Sequence, residues 1–150
     1  MHSISFIKQN EFELWNELWQ KYLKFYQTSL PDSVTKVTWE RIMDPEQNIF
    51  SFGGYWAEDG TKELVGFTNF LYHSSTWSEQ GYCYLEDLYV EEKFRGKGVG
   101  RLLIEAVWDD CLRKGVKRLY WKTQDKNRIA RIMYDKVAKQ SGFIEYEREV

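Results

Sequence analysis

The stretch Phe94-Arg95-Gly96-Lys97-Gly98-Val99-Gly100-Arg101 sets three glycines among three cations and leads into the apolar run Leu102, Leu103, Ala106, Val107 and Cys111. A strand that ends at Val90 and passes through such a turn into a helix leaves the first amide N–H groups of that helix without partners. Glycines allow positive φ and close approach of a ligand to the backbone. Arg95, Lys97 and Arg101 add charge-assisted hydrogen bonds. Together they predict a phosphate-binding turn. One helix-terminus contact contributes only about 0.3–1 kcal/mol, so several groups must converge on the same anion. Two common phosphate loops are absent. No G-x-x-x-x-G-K-[ST] string occurs, and G-x-G-x-x-G fails because Arg101 stands where its last glycine belongs.

With 150 residues, 43% of them hydrophobic, the chain suits one domain spanning 1–150 with a sizeable core. Lys+Arg 21 against Asp+Glu 23 gives a formal net charge of −2, so no basic field draws in nucleic acid and any anion site is local. Cys83 and Cys111 form no CxxC pair, and with two histidines in the chain they predict buried, reduced thiols and no metal centre. The N-terminal MHSISFIKQN has no apolar signal core and no run reaches membrane-span length, so a cytoplasmic protein without a membrane partner is expected.

Alternation at Ile4–Lys8 predicts a first strand, and Asn10 with Glu13 a helix start. Phe12, Trp15, Leu18, Trp19, Tyr22, Leu23 and Tyr26 recur at helical spacing up to Pro31. A second helix is expected over Val34–Met43. Ile49–Trp56 and Leu64–Tyr72 read as a hairpin closed at Glu58-Asp59-Gly60. Tyr82–Val90 is the next strand, and the helix after the glycine turn stops at Lys114-Gly115. Val116–Lys122, Asn127–Lys139 and Phe143–Arg148 complete the pattern as strand, helix and strand. The order β-α-α-β-β-β-α-β-α-β implies one α+β or α/β domain around a mixed sheet.

Arg95-Gly96-Lys97-Gly98-Val99-Gly100 matches the Arg/Gln-x-x-Gly-x-Gly/Ala signature of the GCN5-related N-acetyltransferase (GNAT) superfamily. It follows Leu85-Glu86-Asp87-Leu88-Tyr89-Val90, which resembles that family's central strand. Asn127, Ala130 and Tyr134 resemble its N-x-x-A-x-x-x-Y helix, and Ser141-Gly142-Phe143 its entry into the next strand. The resemblance covers roughly residues 82–148, and its wording is most similar to the histone and polyamine acetyltransferase-like branch. It implies the GNAT fold, a mixed and mostly antiparallel sheet flanked by helices. It further implies acetyl-CoA as donor, its pyrophosphate on the amides of Arg95 to Gly100. In that fold the strand ending at Val90 bulges and splays from the strand after it, freeing backbone groups near Leu88, Tyr89 and Val90 for the pantetheine arm. Asn127, Ala130, Tyr134 and Lys136 are the matching cofactor contacts on the later helix, with Arg131 a further cation there.

An ammonium acceptor has no lone pair until it loses a proton, and a free lysine holds that proton to a pKa of about 10.4. Glu86 and Asp87 are the candidate acids, on opposite faces if the strand is regular. Glu86 is the first choice as base, directly or through water, and Asp87 a second acid that steers a cationic acceptor. Tyr134 matches the family's proton donor to the departing thiolate, and Asn127 lies two helical turns before it. Tyr22, Tyr26, Trp39, Tyr72 and Trp77 are aromatic candidates for an amine pocket; core packing accounts for them equally well. The expected reaction is acetyl transfer to a primary amine of a small polyamine-like or amino acid-like molecule, or to a lysine side chain. A CoA-binding sensor or interaction module without catalysis is the alternative. The final strand Phe143–Arg148 offers an edge for pairing with a second copy, so a homodimer is a further expectation.

Overall fold

The computed structural model describes residues 1–150. The chain runs β1 (His2–Phe6), α1 (Phe12–Phe25), α2 (Asp32–Met43), β2 (Ile49–Glu58), β3 (Thr61–Ser75), β4 (Ser78–Val90), α3 (Val99–Lys114), β5 (Leu119–Tyr120) and α4 (Arg128–Val137). The five strands form one sheet in the order β1-β2-β3-β4-β5. Only the β4/β5 pairing is parallel. The sheet is therefore mixed and mostly antiparallel, as the sequence implies.

Each face of the sheet is covered by a different helical layer. Under α1 and α2 lie Trp15, Leu18, Trp19, Leu23 and Ile42 against Tyr55, Leu64, Phe67 and Tyr89. Under α3 lie Val99, Leu103, Ile104, Val107 and Cys111 against Phe52, Val65, Phe70, Cys83 and Leu85. The helical period of apolar residues in α1 and α3 places each stripe on the sheet, and burying one such side chain contributes about 1.5–3 kcal/mol. Both cysteines are free and buried. The expected hairpin turn is present, with Asp59 and Gly60 at φ 50 and 77 and Thr61 Oγ1 donating to the Glu58 carbonyl at 2.7 Å.

Two expected strands differ. Val116–Lys122 contributes only Leu119 and Tyr120 to the sheet. Phe143–Arg148 forms no strand at all, so the observed order ends in α4. A short β5 gives the last segment almost no ladder to join, and Phe143, Ile144 and Tyr146 stay exposed beside it.

The register between β3 and β4 holds one irregularity that decides much of the site. Asn69 pairs with Asp87 and Phe70 with Leu85, so Glu86 is an extra residue, a β-bulge. Before it, Cys83 and Leu85 face α3. After it, Leu88 and Val90 pack on the α3 side and Tyr89 on the α1 side. The alternation has changed phase, which carries Asp87 to the α1/α2 face rather than the face a regular strand assigns it.

Candidate active site

The glycine turn is built as a cradle of backbone donors. Gly96 and Gly98 take φ 75 and 88, and Gly98 caps α3 in the left-handed region. Arg95 N–H donates back to Glu92, and the next closed amide is Leu102 N–H to the Gly98 carbonyl. The six amides from Gly96 to Arg101 between them have no backbone acceptor. Such a run of converging N–H groups at a helix start suits a pyrophosphate. Gly54 beneath it is part of the construction, because a Cβ there would lie 2.8 Å from Val99 Cγ1 and push the first turn of α3 off the sheet.

The three cations are spent differently. Arg95 Nε donates to the Val90 carbonyl at 2.8 Å, and its guanidinium lies over Phe25 and Tyr89. Lys97 Nζ sits over Trp56 and Phe94. Arg101 faces Glu105 at 3.7 Å. With the side chains so placed, what the turn offers an anion is its run of backbone N–H groups. Gly98→Ala tests it: forcing a Cβ into the left-handed region costs about 1–2 kcal/mol. The expected result is a Tm lower by roughly 2–8 °C together with a raised KM for acetyl-CoA.

β4 and β5 pair only at Cys83–Leu119 and Tyr84–Tyr120. From Leu85 onward the outer edge of β4 is open. Glu91 N–H bonds Val65 of β3, so by alternation the polar groups of Leu88 and Val90 point to that open edge. The cradle stands at one end of this edge, and the Val90 carbonyl is the group that Arg95 takes.

On the α1/α2 face the bulge opens a pocket of about 460 Å³. Tyr22, Tyr26, Glu86 and Asp87 line it, with Arg41 and Thr38 from α2. Glu86 is exposed and Asp87 half-buried. Asp87 Oδ2 accepts from Asn69 Nδ2 at 3.0 Å, and its backbone carbonyl from Thr68 Oγ1 at 2.8 Å. Burial pushes the Asp87 carboxyl up to about 6; hydrogen bonds from Asn69 and Tyr22 partly offset it, and the charge of Glu86 raises it further. A base near neutral pH combines a populated ionised form with useful basicity. Tyr22 is itself raised, first by burial and then by the Asp87 charge.

Tyr134, on α4, packs edge-on against Trp121 at 5.5 Å and lines a cavity of about 1180 Å³ under α4. Burial raises its phenol to about 12, with a smaller contribution from Tyr26. Tyr26 in turn feels the charge of Asp87. Tyr26 therefore stands within electrostatic range of both groups. Asn127 is the N-cap of α4, its Oδ1 accepting from Ala130 N–H at 3.5 Å. Arg131 is held by Asp125 through its carbonyl at 2.7 Å and its carboxylate at 2.9 Å, and Lys136 is exposed.

The structure does not bring Trp39 or Tyr72 to the pocket. Trp39 packs between Phe12 and Trp15. The Tyr72 hydroxyl donates to Asp110 on the α3 side, and Trp77 is exposed at the β3/β4 turn. Asn69 and Arg41 were not singled out in the sequence. The available signal for Asn69 was a lone carboxamide inside the apolar strand Leu64–Tyr72, where a buried polar group needs a partner.

Residues 12–138 match the profile of the Acetyltransferase (GNAT) family. The D-amino-acid N-acetyltransferase HPA3 of Saccharomyces cerevisiae is 35% identical over 142 residues, 95% of this chain and 87% of that one. A thialysine N-epsilon-acetyltransferase of Caenorhabditis elegans is 38% identical over 76 residues, 51% of this chain and 47% of that protein. The aminoglycoside enzyme AAC(6')-Iy, solved with the bisubstrate analog CoA-S-monomethyl-acetylneamine, superposes with a TM-score of 0.83 at 20% identity, covering 100% of this chain and 99% of that one.

Proposed function

The chain belongs to the acetyltransferase (GNAT) family and is an acetyl-CoA-dependent N-acetyltransferase, and we propose that it acetylates the primary amine of a small molecule seated between α1, α2 and the bulge of β4. The observation that carries this reading is a carboxylate with its pKa near 6 in an aromatic-lined pocket beside the open strand edge. Acetyl-CoA, when bound, supplies a thioester carbon as electrophile and a sulfur as leaving group.

The chain's own residues do the rest. The amides of residues 96–101 fit the pyrophosphate, and the open edge at Leu88 offers a strand-like partner to an extended arm. The proton-accepting role goes to Asp87, because Asn69 orients its carboxylate and burial makes it basic. Glu86, exposed beside it, contributes negative charge that attracts a cationic acceptor. Tyr134 keeps its proton up to about pH 12 and provides it to the departing sulfur.

The acidic floor favours cationic acceptors, in keeping with relatives named for amino acids and thialysine. The net charge of −2 and the engaged cations of the glycine turn favour no nucleic acid partner. No helix is long and apolar enough to cross a membrane. The exposed apolar tail from Phe143 to Tyr146, next to the short β5, fits pairing with a second copy in a homodimer.

Acceptor-dependent release of free CoA thiol, measured across amino acids, polyamines, basic peptides and aminoglycosides, tests the reading. Release with a small cationic amine is the expected result. Saturable acetyl-CoA binding without release from any amine defeats it in favour of binding alone.

A further inference from the structure

The acceptor pocket carries opposite charges at its two ends. Asp87 and Glu86 lie at the sheet, and Arg41 reaches the pocket from the last turn of α2. The other α2 cation, Lys36, is engaged with Glu40 at 3.9 Å. Arg41 forms no ion pair and its side chain no hydrogen bond within the chain: its guanidinium is absent from the pairs of Lys21, Lys36, Lys93, Arg101, Arg113, Lys114, Lys122 and Arg131. Trp19, Tyr22, Tyr26 and Thr38 line the same pocket.

An all-cationic acceptor such as a polyamine gains at the carboxylates and is repelled at Arg41. A neutral amine leaves the guanidinium unused. A molecule with an ammonium at one end and a carboxylate at the other satisfies both ends, and the planar guanidinium matches a carboxylate by two parallel hydrogen bonds. We propose that Arg41 is the specificity-determining residue for a zwitterionic acceptor, a free amino acid whose carboxylate pairs with Arg41 while its reacting amine faces Asp87. The inference rests on the reading of this pocket as the acceptor site. It selects among small amines, excluding polyamines as the preferred class.

The test compares lysine, lysinamide and cadaverine, which share an amine and differ in the carboxylate. Binding is followed by quenching of tryptophan fluorescence, since Trp19 lines the pocket, and turnover by CoA thiol release. The parent protein is expected to prefer lysine over both analogues. Arg41→Gln is expected to raise KM and the dissociation constant for lysine by about 10- to 100-fold, the loss of a charge-assisted pair, with kcat little changed and with lysinamide and cadaverine unaffected or improved. Arg41 is exposed, so its replacement leaves the core intact, and Arg41→Lys is expected to recover part of the preference. Equal losses for lysine and lysinamide, no loss for either, or a parent preference for cadaverine overturns the proposal. Because the fluorescence titration needs no turnover, a protein that binds lysine through Arg41 yet releases no thiol would fail the catalytic reading and leave this one standing.

Discussion

Replacing Asp87 by Asn is expected to lower kcat/KM by about 10²- to 10⁴-fold, the range for loss of a positioned general base. The substitution keeps shape and the contact with Asn69 within reach of a flipped amide, so acetyl-CoA binding should be preserved. The pH profile separates this role from a structural one. The folded Asp87 carboxyl titrates near 6, so kcat/KM of the parent falls tenfold per unit as pH drops below about 6 and the carboxylate takes its proton; in Asp87→Asn that limb disappears. Stability should move the other way. Burial raises the carboxyl from 3.8 in the unfolded chain to about 6 in the folded one. The folded state therefore binds more protons across that interval, and stability falls as pH rises through it. At pH 7 the neutral Asn avoids this cost, so Tm is expected to equal or exceed that of the parent. Full activity in Asp87→Asn combined with inactivity in Glu86→Gln would transfer the base to Glu86.

Tyr134→Phe is the second large effect, about 10²-fold or more in kcat with KM for acetyl-CoA nearly unchanged. The ring keeps its edge contact with Trp121, and the hydroxyl makes no hydrogen bond within the chain whose loss would disturb α4. Acceptors do not alter the leaving thiolate, so the loss should be similar for every amine. Equal turnover in mutant and parent removes Tyr134 from the proton path.

The parts of the site that could be read from the sequence are those set by neighbours in the chain. The cradle at 96–101 follows from glycines at fixed spacing before an apolar helix, while Asn127 and Tyr134 stand out through the family resemblance, with helical geometry setting them two turns apart. What could not be read depends on which residue meets which across the sheet. A regular strand puts Glu86 and Asp87 on opposite faces, and which face each takes is set by the partner strand. The extra residue at 86 exists only in the pairing with β3, where Asn69 meets Asp87, and no local pattern announces it. The same holds for the tail. Phe143–Arg148 has a strand's composition, but a strand needs a neighbour, and β5 offers two residues. The fate of Arg95 and Lys97 was likewise decided by a carbonyl and by rings brought close by folding.

The bulge makes this strand tolerant of one change in its length in a way that its composition would never suggest. Removal of the single residue Glu86 would leave Leu85 opposite Phe70 and Asp87 opposite Asn69 in an unbroken ladder. Leu88 and Val90 would stay in the layer beneath α3 and Asp87 on the other face, while the local bend that an extra residue imposes would be lost. In descendants of this chain, position 86 can thus be shed without turning any later side chain to the wrong face: what the residue supplies there is curvature before it is a chemical group.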